Sequence, residues 1–211
     1  MSDFPEFVKI CGVTTVEDAW LVHSAGASAL GMVLAPASRR RCSTPAARRI
    51  VADLGSHLPC IGVFRGQSDQ EVLYLVADIG LTAVQLHDPA SPQLLARLRG
   101  DGVMIIIRAV SYGTEEYRTL DTLDLDAVLV DGPEPGSGQS ATWVETPSFA
   151  LPMIVAGGLT PESVATWIER YDIDGVDVAS GTEAAVGVKD PSKVASFVEN
   201  ARATWHRKRN A

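Results

Sequence analysis

The chain has 211 residues, of which 26 are acidic and 18 are basic, and its formal net charge is −8. This acidic balance disfavours attraction to nucleic acid or anionic membranes, so we expect any anionic ligand to meet a local positive patch. The first residues carry acids and no apolar core, and no stretch of about eighteen uncharged apolar residues occurs, so neither a secretory signal nor a membrane span is predicted. Three widely spaced cysteines, Cys11, Cys42 and Cys60, fit neither a metal site nor a disulfide framework, and they predict a cytoplasmic protein.

Short apolar runs alternate with longer amphipathic segments along the whole chain. Eight such runs begin near Val8, Leu30, Cys60, Ala83, Met104, Ala127, Met153 and Gly175. Several are continuously apolar, as in 104–107 and 127–130, which is typical of parallel strands with both faces buried.

Between these runs the apolar residues follow the helical period. Apolar or small residues recur at i, i+3, i+4 and i+7 within 47–54, 72–79, 164–171 and 194–201. Thr44, Thr160 and Asp190 each precede a proline, which predicts an N-cap residue followed by proline at the first helical position. Segments 115–120 and 141–144 are weakly periodic, so we expect short or irregular helices after the fifth and sixth strands.

The alternation predicts an α/β protein with a single (β/α)₈ barrel, or TIM barrel, over residues 1–211. Eight strands joined by short crossovers favour closure over an open doubly wound sheet. No G-x-G-x-x-G follows the first strand, which counts against a dinucleotide-binding sheet. In such barrels function gathers at the carboxyl ends of the strands.

Polar residues recur at the predicted strand ends, whereas the strand interiors are almost wholly apolar. The ends carry Cys11, 38–41, Arg65, Gln85, His87, Arg108, Asp131, Gly157, Gly158 and 177–181. Gln85 and His87 at the fourth end either orient substrate hydroxyls or satisfy backbone groups. The contrast between ends and interiors predicts an active site at this end of the barrel.

Glycine-rich turns follow the seventh and eighth strands. Gly157 and Gly158 end one strand, and Ser180 and Gly181 follow the next. Glycines let backbone N–H groups approach an anion closely, and barrels of this kind often hold a phosphate between these two loops. Either turn alone is explained as a tight turn, but the pair predicts a phosphate site.

Cys11 and Asp131 are the candidate acid–base pair. Each alone has a structural explanation, as a small buried apolar residue or as a turn residue before Gly-Pro. Placed on opposite sides of a bound sugar, the thiolate acts as a base and the protonated carboxyl as an acid. A desolvated mouth raises the pKa of Asp131, and a cation such as Lys9 lowers the pKa of Cys11.

Three consecutive arginines, Arg39, Arg40 and Arg41, form the strongest positive cluster of the chain. A solvated loop is the simpler interpretation of such a run. Because the cluster follows the second strand, one inward-facing guanidinium is a candidate clamp for a carboxylate.

Several motifs together resemble one family. KICGVT at 9–14 and GVDVASGTE at 175–183 are highly specific as a pair, and GASALGM at 26–32, IGVF at 61–64, AVQLH at 83–87, AGGL at 156–159 and GVKD at 187–190 accompany them. With these motifs the chain resembles the phosphoribosylanthranilate isomerases, (β/α)₈ enzymes of tryptophan biosynthesis, along nearly its whole length.

The resemblance implies an Amadori rearrangement of N-(5-phosphoribosyl)anthranilate to 1-(2-carboxyphenylamino)-1-deoxyribulose 5-phosphate. It implies that Asp131 protonates the ribose ring oxygen and that Cys11 removes the C2 proton of the resulting Schiff base. It further implies that Arg40 holds the anthranilate carboxylate and that Asp177 contacts a ribose hydroxyl. The implied phosphate ligands are Gly157, Gly158, Ser180 and Gly181. No cofactor or metal is implied.

Five positions depart from the family's usual residues. Arg41, Gly66, Gln139, Thr142 and Ala179 replace the usual tyrosine, asparagine, lysine, aspartate and serine. Because Cys11 and Asp131 are both present, we expect the chemistry to be kept.

Two alternatives to this function stay open. One is another ribosyl-phosphate isomerase or epimerase, although no second pair of phosphate loops follows strands three and four. The other is a catalytically silent barrel that binds a phosphorylated ligand, for which neither Cys11 nor Asp131 is needed. No long apolar loop is predicted, so we expect a monomer.

Overall fold

Eight parallel strands close into a barrel in chain order. The computed structural model describes residues 4, 6–114, 116, 120, 123–132 and 147–210. The strands are β1 (Phe7–Cys11), β2 (Ala29–Val33), β3 (Cys60–Phe64), β4 (Ala83–Leu86), β5 (Ile105–Ser111), β6 (Ala127–Asp131), β7 (Met153–Val155) and β8 (Gly175–Val178). Each begins within one residue of its predicted start, and the predicted (β/α)₈ barrel is confirmed.

Helices pack around the barrel and bury the predicted apolar faces. They are α1 (Val16–Ser24), α2 (Thr44–Leu54), α3 (Asp69–Ile79), α4 (Pro92–Gly100), α5 (Val164–Arg170) and α6 (Pro191–Arg209). A short antiparallel pair, β9 (Glu183–Ala185) and β10 (Val188–Lys189), lies between β8 and α6. The weak helix predicted at 141–144 lies outside the described residues, as does most of 115–120. Within the described ranges, none of the helices combines the length and apolar character needed to cross a bilayer.

The predicted helix caps are only partly right. Asp190 caps α6 as expected, because its side chain accepts from the N–H groups two and three residues on. The cap of α2 is Ser43 rather than Thr44. Proline is tolerated at either of the first two helical positions, since neither N–H has a partner within the helix. Thr160 precedes a turn, and α5 begins only at Val164.

The barrel interior is filled mostly by small and branched apolar side chains. Its inner cluster includes Ala29, Ile61, Val63, Ala83, Ile107, Ala109, Ala127, Leu129, Ile154 and Ala156. Side chains two apart on a strand share a face, so Lys9 faces the same interior as Cys11. Asp177 is directly opposite Lys9 in the β1–β8 register, and Gln85 is opposite Val63. Lys9, Asp177 and Gln85 therefore bring polar groups into this apolar interior.

Arg108 is not at a strand end, contrary to the prediction. Strand β5 continues to Ser111, so Arg108 lies within it and is 2% exposed. Its guanidinium donates to the carbonyls of Leu86 and His87 and pairs with Glu116 at 2.9 Å. The guanidinium thus stabilises the β4–β5 connection from outside the cavity described next.

Candidate active site

A cavity of about 480 Å³ opens among the carboxyl ends of the strands. Its lining contains nine of the ten predicted site residues: Cys11, Arg40, Gln85, His87, Asp131, Gly157, Gly158, Asp177 and Ser180. The tenth, Gly181, is the next residue in a short 3₁₀ turn, Ser180–Thr182, and is not among the lining residues. The fold thus brings residues from six strands and their loops to one site.

The thiol of Cys11 ends β1 and is 7% exposed. Burial raises the pKa of this thiol above its ordinary value of 9.0, and the positive charge of Lys9 opposes the rise. The negative charge of Asp177 adds to the rise, whereas the positive charge of the Lys189 ammonium opposes it. The lowering expected from Lys9 is present, but burial outweighs it.

Asp131 ends β6, three strand positions around the barrel from Cys11. Its Oδ1 accepts from the backbone N–H of Gly132 at 2.9 Å. Burial, together with the negative charge of Asp177, raises the pKa of Asp131 from 3.8 to about 6. The direction is the one expected for a carboxyl in a desolvated mouth.

These two shifts set the protonation of the pair. With a pKa of about 6, roughly a tenth of the Asp131 carboxyls carry a proton at pH 7. The Cys11 thiol, with its pKa above 9.0, is protonated at that pH. A thiolate at Cys11 together with a protonated carboxyl at Asp131 is therefore a minor state of the pair.

Gln85 and His87 form a hydrogen-bonded pair at the end of β4. Gln85 Nε2 donates to His87 Nε2 at 3.0 Å. Burial and nearby cations, Lys9 first among them, lower the pKa of His87 to about 4, so the ring is neutral and accepts this bond. Among the described residues, nothing donates to Gln85 Oε1, which is buried. An unpaired buried acceptor costs about 1–3 kcal/mol, and a ligand hydroxyl would satisfy it.

Of the three consecutive arginines, only Arg40 lines the cavity, and Arg39 and Arg41 are exposed. The Arg40 guanidinium donates two hydrogen bonds to the buried carboxylate of Glu183, from Nε to Oε1 at 2.8 Å and from Nη2 to Oε2 at 3.0 Å. The fork geometry fixes the plane of the guanidinium. Glu183 Oε1 also accepts from Gly187 N at 3.2 Å and lies 3.8 Å from the ammonium of Lys189. Arg40 is thus a preorganised cation with Nη1 still unused among the hydrogen bonds of the described residues.

Arg40→Met is expected to raise KM about ten- to a hundredfold and to change kcat less. A charged hydrogen bond contributes about 1.5–3 kcal/mol, and a loss of uniform binding appears in KM. Steady-state kinetics with phosphoribosylanthranilate, the substrate that the resemblance implies, measures the effect. Arg39→Met, on the same loop but exposed, is the matched control.

A second variant separates binding from folding in this test. Arg40→Met leaves Glu183 buried without its guanidinium, and such a loss destabilises proteins strongly. The double variant Arg40→Met, Glu183→Gln removes both charges, and the raised KM is expected to persist in it. An unchanged KM in the folded double variant would show that Arg40 does not bind the anthranilate carboxylate that the resemblance assigns to it.

The loops after β7 and β8 need glycine for different reasons. Gly157 and Gly158 have φ values of 97° and 69°, in the left-handed region that favours glycine. A Cβ on Gly157 would lie 2.6 Å from Gly132 N and 2.9 Å from Asp131 Oδ1, so this loop also packs against the candidate acid. A Cβ on Gly181 would lie 1.9 Å from the carbonyl oxygen of Leu159. Gly181 therefore lets the two loops touch, and its role as a phosphate ligand stays a prediction.

Gly181→Ala is expected to separate the two loops. A contact at 1.9 Å to a backbone oxygen cannot be relieved by a side-chain rotation, so the backbone must shift. We expect a loss of about 1–3 kcal/mol in the free energy of unfolding and a weaker affinity for inorganic phosphate. Urea denaturation and phosphate titration measure these two effects. Gly100→Ala is the control without a steric clash, because a Cβ there meets nothing within 4 Å and its φ, like that of Gly181, is not left-handed. A Gly181→Ala variant as stable as wild type would contradict the expectation.

Two charged residues that support the cavity wall through Arg40 are not predicted from the sequence. There, Glu183 appears only as the end of the GVDVASGTE motif, and Lys189 only within GVKD. Both are buried charged residues from the segment between β8 and α6. The signal available in the sequence is that these two charged residues closely follow the predicted phosphate loop at Ser180 and Gly181.

Comparison with known proteins identifies the family. Residues 8–200 match the family model described as N-(5'phosphoribosyl)anthranilate (PRA) isomerase. An N-(5'-phosphoribosyl)anthranilate isomerase of Deinococcus radiodurans is 36% identical over 203 residues, covering 94% of this chain and 98% of the relative.

Solved structures agree with this match. A phosphoribosyl anthranilate isomerase from Thermus thermophilus is 35% identical with a TM-score of 0.78, covering 93% of this chain and 98% of that chain. Another, in complex with reduced 1-(o-carboxyphenylamino)-1-deoxyribulose 5-phosphate, is 30% identical with a TM-score of 0.76 and the same coverage. The chain therefore belongs to the N-(5'-phosphoribosyl)anthranilate isomerase family, the isomerases of tryptophan biosynthesis.

Proposed function

We propose that the chain converts N-(5-phosphoribosyl)anthranilate to 1-(2-carboxyphenylamino)-1-deoxyribulose 5-phosphate by general acid–base catalysis, with Asp131 as acid and Cys11 as base. The observation that carries this proposal is that both groups line one cavity, on strands three positions apart. Arg40 and the glycine loops after β7 and β8 line the same cavity. They provide a cation and a phosphate site for the two anionic ends of such a substrate.

The substrate is proposed to lie with its phosphate at the loops after β7 and β8 and its carboxylate at Arg40. Gly157, Gly158 and Ser180 line the first region, where backbone N–H groups suit a phosphate. The fork of Arg40 suits a planar carboxylate. Gln85 Oε1 and the cavity-lining Asp177 are the proposed acceptors for ribose hydroxyls.

In the first chemical step the Asp131 carboxyl gives its proton to the ribose ring oxygen, and the C1–O bond breaks to a Schiff base. The Cys11 thiolate then takes the C2 proton of this protonated Schiff base. The C–H electron pair forms the C1–C2 double bond of an enolamine, and the π electrons of the C1–N double bond return to nitrogen. Tautomerisation of the enolamine to the ketone is neutral in protons. Each turnover therefore leaves Cys11 protonated and Asp131 ionised, so one proton must return from the thiol to the carboxyl.

This cycle predicts a bell-shaped pH dependence of kcat/KM. The acidic limb lies near pH 6, from Asp131, and the basic limb lies above pH 9.0, from Cys11. The same two limbs arise whether Cys11 or Asp131 is the base. In both cases the active form of the enzyme is the one in which these two residues share a single proton. Variants of the two residues, rather than the wild-type profile, must assign the roles.

The direct test follows the loss of phosphoribosylanthranilate fluorescence with purified protein. Turnover well above the spontaneous background is expected, with no added metal or cofactor. Turnover no faster than that background would overturn the proposed function. Activity that vanishes with chelator and returns with a metal would overturn the cofactor-free mechanism.

We further propose a cytoplasmic monomer that acts on a small phosphorylated molecule and on neither nucleic acid nor membranes. The net charge of −8 and the three free, buried cysteines support this proposal. Within the described part of the chain, the exposed large apolar residues lie singly or as a pair on the β9–β10 hairpin: Trp20, Tyr74, Met104, Val186 and Val188. Analytical ultracentrifugation tests the oligomeric state, and a dimer at micromolar concentration would contradict it.

A further inference from the structure

Lys9 is a fully buried cation inside the barrel. It is 0% exposed, and its Nζ donates to Asp177 Oδ1 at 2.9 Å. Burial lowers the pKa of this lysine, but the negative charge of Asp177 and the neighbouring Cys11 raise it above 10.5 overall. The ammonium is therefore charged throughout the working pH range. Burying such a pair brings little stability relative to apolar side chains of the same volume, so a purely structural role explains it poorly.

The ammonium shares a space with the Cys11 thiol. A Cβ on Gly31, the residue opposite Cys11 in the β1–β2 register, would lie 2.8 Å from Cys11 Sγ and 3.1 Å from Lys9 Nζ. The two groups thus approach the same point, and glycine keeps that point empty. The φ of Gly31 is not in the left-handed region. Glycine is therefore needed here because a larger side chain would clash with Lys9 and Cys11, not because of the backbone conformation.

The other charges around the thiol come from three further segments. Asp177 on β8 faces it and disfavours a thiolate. Lys189 on β10 favours a thiolate. Its ammonium, however, donates to Ala179 O at 3.0 Å and lies 3.8 Å from Glu183 Oε1. Arg40 is paired with Glu183 as well. Of these cations, Lys9 has the strongest effect on the thiol.

We propose that Lys9 is a positioning residue for the base, with its ammonium fixed by Asp177 so that it stabilises the Cys11 thiolate in the cavity. The inference rests on the proposed function of Cys11. During C2 deprotonation the proton passes from carbon to sulfur, and Lys9 keeps its three protons. The Lys9 ammonium balances the negative charge of the thiolate before the reaction. Protonation of the sulfur then neutralises that charge.

The test measures the ionisation of Cys11 without substrate. The intact protein is treated with iodoacetamide between pH 6 and 10, and the rate at the Cys11 peptide is followed by mass spectrometry. Because only the thiolate reacts, the rate at a given pH reports the thiolate fraction. Lys9→Met is expected to slow alkylation about tenfold or more near neutral pH, since a nearby opposite charge shifts a pKa by about 1–3 units.

Two further variants keep the test interpretable. Lys208→Met removes a lysine that bonds carbonyls of Ile168 and Tyr171 outside the cavity, and its alkylation rate should equal that of wild type. Should Lys9→Met fail to fold, the double variant Lys9→Met, Asp177→Asn removes both buried charges. Slower alkylation is expected in it too, because Lys9 acts on the thiol more strongly than Asp177 does.

The outcomes separate this inference from the proposed function. Unchanged Cys11 alkylation in a folded Lys9 variant would overturn the inference, whatever the enzyme's activity. Slower alkylation in a protein that does not turn over phosphoribosylanthranilate would support the effect on the thiol and overturn the function. With both correct, the basic limb of kcat/KM moves to higher pH in Lys9→Met, and KM changes less than kcat.

Discussion

Cys11→Ser is expected to lower kcat/KM for phosphoribosylanthranilate by about 10²–10⁴-fold, the usual contribution of a positioned base. A serine hydroxyl keeps the size and the hydrogen-bonding capacity of the thiol, but it ionises only at far higher pH. In the cavity, burial already raises the pKa of the thiol above 9.0, so a weaker acid at this position supplies almost no anion. The fluorescence assay at saturating and limiting substrate separates kcat from KM.

Cys60→Ala is the matched control for a lost thiol. Cys60 is also buried, its thiol has its pKa raised to about 12 by burial, and it opens β3 at the end of the barrel away from the cavity. This variant should keep wild-type kcat/KM, while Cys11→Ala should be as poor as Cys11→Ser. Activity of Cys11→Ser within a few-fold of wild type would remove Cys11 from the role of base.

Asp131→Asn is expected to lower kcat/KM by about 10²–10⁴-fold, because an amide cannot give a proton to the ribose ring oxygen. The residual activity should lack the acidic limb near pH 6, which belongs to this carboxyl. A pH–rate profile from pH 5 to 10 measures both effects. Asp172→Asn, which alters an exposed carboxyl outside the cavity, serves as the control. A retained acidic limb in Asp131→Asn would assign that limb to another group.

The same substitution should stabilise the protein at neutral pH. The folded-state pKa of about 6 exceeds the ordinary 3.8, so the folded state binds more protons and loses stability as pH rises through this interval. At pH 7 the loss amounts to about 3 kcal/mol, at 1.36 kcal/mol per pKa unit. Asp131→Asn recovers part of it, so its Tm should exceed that of wild type at pH 7 and the gap should close near pH 4. An equal or lower Tm at pH 7 would contradict the destabilising role of this carboxylate.

Much of the fold could be read from local patterns. A strand buried on both faces leaves a continuous apolar run, and a helix on the barrel surface leaves a stripe of period 3.6, so both are visible within about ten residues. The same patterns also predict where the strands end, and most of the polar residues predicted at those ends line the cavity. Arg108 was misplaced because the apolar run breaks at the arginine, whereas the strand continues past it.

What the sequence alone determined is the list of parts: eight strands, the helices between them, and the polar residues at the strand ends. Which of those residues meet depends on how the barrel closes. Lys9 pairs with Asp177 168 positions away because closure of the barrel brings β8 beside β1, and Arg40 pairs with Glu183 across 143 positions. The rise in the pKa values of Cys11 and Asp131 depends on burial and on those neighbours, which local periodicity does not encode. The chain thus specifies the proposed acid and base, and barrel closure sets how readily each one gains or loses its proton.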